Sequence, residues 1–149
     1  MPNPEELERR NDWFERYVDR IAEAGERDPV LDGRFACPCC GRPPIEAPAE
    51  YDICPLCFWE DDGQDDPRAA EVWGGPNHRY SLAEARENFR EYGTMYRPSD
   101  RARFEKQTTP DRISFKRRLD AVYSRLAVTE DRDARAQLWQ EEDQIRRSQ

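Results

Sequence analysis

No apolar run in this chain approaches the roughly 18 residues that a membrane-spanning helix needs, so the sequence offers no such span. The opening Met1-Pro2-Asn3-Pro4-Glu5-Glu6 lacks the basic-then-apolar order of a secretory signal, and the expectation is a cytoplasmic protein. Histidine is almost missing. His78 is the only one, so a Ser-His-Asp triad or a Cys-His nucleophile would have to pass through that residue. No phosphate-cradling glycine loop, paired-carboxylate helix motif or H-E-x-x-H occurs, which leaves enzymatic activity without a motif to carry it. Apolar residues are few: 36% of 149 residues are hydrophobic and 38% are charged, too little for one core running through the whole length. A small folded unit within such a chain needs a staple. Positive charge is also short, with 24 Lys and Arg against 32 Asp and Glu. The net charge of −8 sets up a field that repels nucleic acid and anionic lipid.

What the chain does have is cysteine in one place. Cys37, Cys39, Cys40, Cys54 and Cys57 lie within 21 consecutive residues. An odd count without an export signal argues against a disulfide framework and leaves metal binding or redox chemistry. Cys37-Pro38-Cys39-Cys40 and Cys54-Pro55-Leu56-Cys57 share the form Cys-Pro-x-Cys, with 13 residues between them. Two such turns can aim four thiolates at one centre. Proline sets φ for each turn, and Gly41 can take positive φ just after a sulfur. Four thiolates suit Zn²⁺ at about 2.3 Å; iron accepts the same four sulfurs but is the second choice. The expected ligands are therefore Cys37, Cys40, Cys54 and Cys57. Cys39 is read as a small buried residue beside the first turn, with an alternate ligand or a redox-active thiol as the other options. A glutaredoxin-like dithiol site competes for the whole cluster, but no βαβ pattern surrounds it.

The strings Cys37-Pro38-Cys39-Cys40-Gly41, Tyr51-Asp52-Ile53-Cys54-Pro55-Leu56-Cys57-Phe58-Trp59-Glu60-Asp61-Asp62, Gly74-Gly75-Pro76-Asn77 and Ser81-Leu82-Ala83-Glu84-Ala85-Arg86-Glu87-Asn88-Phe89 together resemble the bacterial cysteine-rich CPCC domain family. The resemblance runs from about Phe35 to about Pro98. It departs from the family pattern at Arg42-Pro43-Pro44-Ile45 and at Pro76, away from the candidate ligands. It implies a metal-binding module of undetermined activity found in small bacterial proteins, and it implies no catalytic residues.

Around the cysteines the chain reads as helices. Asn3-Pro4-Glu5-Glu6 is a capped helix start, and Phe14, Tyr17, Val18 and Ile21 recur at helical spacing until Gly25 can end the helix. Eight of the twelve prolines fall between Pro29 and Pro76, a density that excludes helix and favours short strands and tight turns. Tyr51-Asp52-Ile53 leading into one turn and Phe58-Trp59 leading out predict the strand, turn, strand layout of a zinc ribbon. Ser81 and Glu84 form a capping box for a helix ending at Gly93, and Thr109-Pro110 caps another carrying Phe115, Leu119, Val122, Tyr123 and Leu126. A polar loop is expected between those two helices. Beyond Thr129 the chain reads as a weak helix or a disordered tail. The expected fold is α+β: a small four-cysteine zinc-ribbon-like module packed with amphipathic helices before and after it. The expected divisions are an N-terminal helix over 1–28, the metal-binding domain over 29–98 and an Arg-rich helical extension over 99–149.

Charge is unevenly placed. From Glu46 to Glu71 there are nine acids against Arg68 alone, and from Arg97 to Arg125 nine bases against four acids. One reading folds the basic helix, with Lys116, Arg117 and Arg118, over the acids. The other makes Asp61, Asp62, Asp65 and Asp66 a surface for a basic protein partner. The run from Glu60 to Asp66 lacks the alternation of an EF-hand. His78, in a loop, is read as a loop polar residue, with a fifth metal-ligand candidate or a hydrogen bond to a sulfur as the other options. The sequence thus points to a zinc-binding protein-interaction module, of the kind an immunity protein uses against a cationic nuclease. A nucleic-acid-binding zinc ribbon using the Arg-rich helix and a thiol redox protein are the alternatives. Cys54→Ser or Cys57→Ser is expected to abolish metal binding, since neither has a neighbour that could replace it, whereas Cys39→Ser is expected to be the mildest of the five. Metal content of the five single variants checks the ranking, and loss of metal in Cys39→Ser while Cys37→Ser or Cys40→Ser keeps it would overturn the ligand assignment.

Overall fold

The computed structural model describes residues 3–24, 29–66 and 68–148. Among the described residues five α-helices carry the fold: α1 (Pro4–Ala24), α2 (Leu82–Tyr92), α3 (Arg101–Gln107), α4 (Pro110–Val128) and α5 (Arg132–Arg147). A 3₁₀ turn at Gly75–Asn77 precedes α2. The helix starts are set by local chemistry. Glu6 N donates to Asn3 Oδ1 at 2.9 Å, Glu84 N to Ser81 Oγ at 3.0 Å and Arg112 N to Thr109 Oγ1 at 3.2 Å, each satisfying an orphan donor of a first turn. Gly93 closes α2 in the left-handed region at φ 76°. The α1 side chains of Phe14, Tyr17, Val18 and Ile21, and Gly25 as its stop, lie outside the described residues.

The expected α+β class is overturned. The molecule is mostly helical, and the described residues hold no β-sheet, only the isolated bridges Leu31↔Arg34, Phe35↔Ile45, Ile53↔Glu60 and Val72↔Ser81. The reason lies in the backbone. Phe35 and Ile45 exchange both hydrogen bonds, at 2.7 and 3.2 Å, but Pro43 and Pro44 have no N–H to continue the ladder. On the other side of the cluster, Tyr51 and Phe58 have φ of 64° and 73°, which turns the chain out of any strand. Glu60 exchanges hydrogen bonds with the Asn77 side-chain amide, at 3.0 and 2.7 Å, where a neighbouring strand would stand in a ribbon. The strand, turn, strand layout of a ribbon is therefore not formed; isolated bridges stand in its place.

Two helical segments were not foreseen as they stand. α3 occupies the expected polar loop; its single large apolar residue, Phe104, meets Tyr92 of α2 edge-on at 5.5 Å. α5 agrees with the helical reading of the tail rather than the disordered one. It starts at Asp131, whose carboxylate accepts from Ala134 N at 2.9 Å, not at Thr129. Its inward stripe is Leu138, Glu142 and Ile145, all buried, and a glutamate in the middle of that stripe is what hides its amphipathicity. Tyr123 of α4 donates to Glu142 at 2.8 Å, and Arg146 donates to the same carboxylate at 3.4 Å, so the acid is paired where it is buried. Asp32 accepts from Trp139 Nε1 and Arg135 Nη2, both at 2.7 Å, and ties the segment before the cysteines to α5.

The core runs from the cysteines through Leu56, Trp59, Tyr80, Leu82 and Phe89 to the α4 face of Phe115, Leu119, Val122, Tyr123 and Leu126. Leu119 is wholly buried there. Leu119→Ala is expected to cost about 2–5 kcal/mol, read as a lower urea midpoint with the slope unchanged.

Candidate metal centre

The two Cys-Pro-x-Cys segments fold into the same turn twice. In the first, Gly41 N donates to Cys37 O at 2.8 Å and Cys37 N to Arg42 O at 2.7 Å; in the second, Phe58 N donates to Cys54 O at 2.9 Å and Cys54 N to Trp59 O at 2.9 Å. Both turns need positive φ at the residue after the second cysteine. Gly41 supplies it at no steric cost (φ 80°), whereas Phe58 adopts it (φ 73°) as a non-glycine residue, held by its packing near Tyr96. The second turn is fastened from outside by Met95 N, which donates to Cys57 O at 2.8 Å.

This arrangement brings four Sγ atoms together. Those of Cys37, Cys40, Cys54 and Cys57 lie within 4.8 Å of one another, and all four residues are buried. The Cys37–Cys57 and Cys40–Cys54 sulfurs are each 3.6 Å apart. Sulfurs at the corners of a tetrahedron with metal–sulfur bonds of about 2.3 Å are separated by about 3.8 Å, so the cluster has the dimensions to hold a metal ion. All five cysteines are free. Burial pushes the Cys37, Cys40 and Cys57 thiols up. At Cys54 burial acts the same way, but hydrogen bonds from Cys37, Cys40 and Cys57 outweigh it and hold this thiol below its usual range. Four thiolates this close together and buried would repel one another, so a cation among them is required.

Cys39 is buried but outside the four-sulfur cluster, with a hydrogen-bonding influence on Cys57. His78 is exposed at positive φ beside Arg103, with 3.5 Å between its Nδ1 and Arg103 Nη2, and does not join the cluster. The acidic quartet is spread over different tasks. Asp61 is fully buried and accepts from Ala49 N at 3.1 Å and Gly63 N at 3.4 Å. Asp62 accepts from Gln64 N at 3.0 Å, while Asp66 and Asp65 meet Arg86 at 2.8 and 3.5 Å. Asp65 and Asp66 thus pair with α2, while Asp61 and Asp62 accept from loop N–H groups.

Two arginines that sequence reasoning did not single out support the site. Arg42, 1% exposed, donates to Cys40 O at 3.0 Å and to Asp120 of α4 at 2.8 and 3.4 Å, and lies 5.2 Å from the Phe89 ring and 5.7 Å from that of Trp13. Burial works against its charge, but Asp120 and the cysteine sulfurs overcome that and raise its pKa. A divalent cation held by four thiolates would leave a net −2, which the buried Arg42 guanidinium would offset. Arg86 donates to Pro38 O at 2.9 Å while holding Asp66, joining the first turn to the acidic loop. The only sequence signal for Arg42 was its place directly after Gly41.

Fold and site together define a mostly helical protein built around a buried four-cysteine cluster able to hold a metal ion. The sequence model of the cysteine-rich CPCC family matches residues 35–110, half of the chain, and the chain belongs to that family. The match extends past α2 to take in α3. No curated protein and no solved structure matches the chain.

Arg42→Met is expected to destabilise the protein by about 3–5 kcal/mol, because it leaves Asp120 without its buried partner, and to speed metal loss to a chelator. Asp120→Asn should cost less, since the guanidinium keeps its bond to Cys40 O. Denaturant melts and chelator competition on both variants check the order.

Proposed function

We propose that the chain binds one zinc ion through Cys37, Cys40, Cys54 and Cys57 as a structural metal, and that the metal-held unit serves as a protein-interaction module. The observation that carries the first half is the closed set of four buried sulfurs. With every tetrahedral position supplied by thiolate and none facing solvent, there is no open position for water or substrate, which favours a structural over a catalytic ion. The same burial weighs against thiol redox chemistry, which needs an accessible thiolate. In this reading residues 29–98 form the metal-binding unit, and the segments 1–28 and 99–149 supply the helices that close over it.

The interaction half draws on exposed apolar side chains. Tyr51 and Ile53 lead into the second cysteine turn and remain exposed, as do Val72 and Trp73 before the 3₁₀ turn. Large apolar groups left in water mark contact surfaces where they cluster. An acidic partner surface has less support, because Asp61, Asp62 and Asp65 are engaged within the chain and Asp66 alone of the quartet is exposed. Nucleic-acid binding through α4 is likewise weakened, since Arg117 pairs with Glu6 at 2.7 Å and Lys116 donates to Gly93 O at 2.9 Å.

Purified protein is expected to carry about one zinc per chain. Stripping it should unfold the 29–98 segment, and zinc should restore it, because metal binding contributes on the order of 10 kcal/mol to small four-cysteine sites. Elemental analysis together with thiol titration of the native protein tests this. Five reactive thiols with neither zinc nor iron present would sink the metal reading.

A further inference from the structure

A second concave site lies beside the cysteine turns, which contribute Arg42 and Leu56 to its lining. Helices α1 to α4 line a cleft of about 700 Å³, inside the roughly 300–1,000 Å³ typical of small-molecule sites. Its apolar wall includes Phe89, Tyr92, Phe104 and Ile113. Its polar lining runs against the charge of the whole: six cationic side chains face three carboxylates, in a protein of net charge −8.

Four of the six cations are paired. Arg42 and Arg9 share Asp120 at 2.8 and 4.0 Å, Arg117 holds Glu6 at 2.7 Å and Arg125 reaches Glu141 at 3.5 Å. Arg10 and Lys116 are different. Among the described residues neither forms an ion pair, and each donates to a backbone carbonyl at the end of α2: Arg10 Nη1 to Arg90 O at 3.0 Å and Lys116 Nζ to Gly93 O at 2.9 Å. They converge on one turn, since a Cβ added to Gly93 would lie 2.9 Å from Arg10 Nη2. The negative end of α2 accounts for part of this, but it is worth about half a charge, not two. Burial first, then Arg112, lowers the Lys116 pKa to about 7, so an anion seated beside it would hold the ammonium form at neutral pH. Two ammonium hydrogens of Lys116 and the Nη2 edge of Arg10 are left to serve another acceptor.

We propose that this cleft binds a small organic carboxylate, with its apolar body against Phe89, Phe104 and Ile113 and its carboxylate between Arg10 and Lys116. A guanidinium edge and an ammonium at one end of an apolar cleft suit a carboxylate head, which takes charge-assisted hydrogen bonds from both. The proposal goes beyond the metal site and does not depend on which metal fills it.

The test titrates full-length, metal-loaded protein at neutral pH with octanoate, 1-octanol and octylammonium, followed by calorimetry and by the methyl NMR shifts of Leu56 and Ile113. Octanoate is expected to bind about tenfold more tightly than 1-octanol, the value of one charge-assisted bond, and octylammonium most weakly. Arg10→Gln and Lys116→Gln should each lower octanoate affinity about tenfold while leaving 1-octanol and metal content unchanged. Ala121→Trp, at an exposed position on the cleft rim, keeps both cations and should block both ligands, so it stands as a control if the charge variants fold poorly. Equal affinity for octanoate and 1-octanol, no binding of either up to the solubility limit, or octanoate binding unmoved by Ala121→Trp would overturn the proposal.

Discussion

Four buried sulfurs within 4.8 Å of one another cannot all carry charge in an apolar surrounding, and a cation at their centre relieves the repulsion. Much of the molecule is arranged around that constraint. The two Cys-Pro-x-Cys turns are built alike so that their sulfurs face a common point, and they accept a left-handed phenylalanine at position 58 to do it. The segment from Pro29 to Gly74 has no helix and no sheet among its described residues, so its backbone supplies little cooperative stability of its own. The metal reading and the poverty of regular structure therefore support each other.

The helices supply what the cysteine segment lacks. Arg42 ties the first turn to Asp120 of α4 and lies near aromatic rings of α1 and α2. Arg86 of α2 grips Pro38 O and the acidic loop. Met95 N, just after α2, secures the second turn. Each contact joins sequence-distant segments through a polar group satisfied on both sides, which is how a segment rich in proline and poor in aliphatics is held in one conformation. The α4–α5 pair extends the apolar core beyond the family-matched region, which ends at residue 110.

The uneven charge of the chain is resolved locally. Asp61 and Asp62 are spent on loop N–H groups and Asp65 and Asp66 on Arg86, while Arg117, Lys116 and Arg125 of α4 meet α1, the end of α2 and α5. A block of like charge in sequence thus says little about the field at the surface. What matters is which helix packs over which loop, and here that packing leaves a cationic surplus in the cleft beside α4.

Several features were legible from sequence because they are short-range. Asn3, Ser81 and Thr109 cap helices through bonds to residues three positions away, and the spacing of Phe115, Leu119, Val122, Tyr123 and Leu126 already places them on one helical face. The paired Cys-Pro-x-Cys strings, the CPCC resemblance and the choice of four candidate sulfurs also follow from local order and spacing. Tertiary structure alone decided the rest. It denied strands to the cysteine turns, because prolines lack N–H donors and the Asn77 side chain occupies the bonding edge of Glu60. It made α5 a core helix, because Tyr123 and Arg146 satisfy the buried Glu142. It placed α3, whose Phe104 ring meets Tyr92 and whose Gln107 accepts from Arg112 of α4. It chose Arg42 and Arg86 as supports of the site, because their partners lie 78 and 20 residues away, a distance at which sequence pattern carries no geometric information.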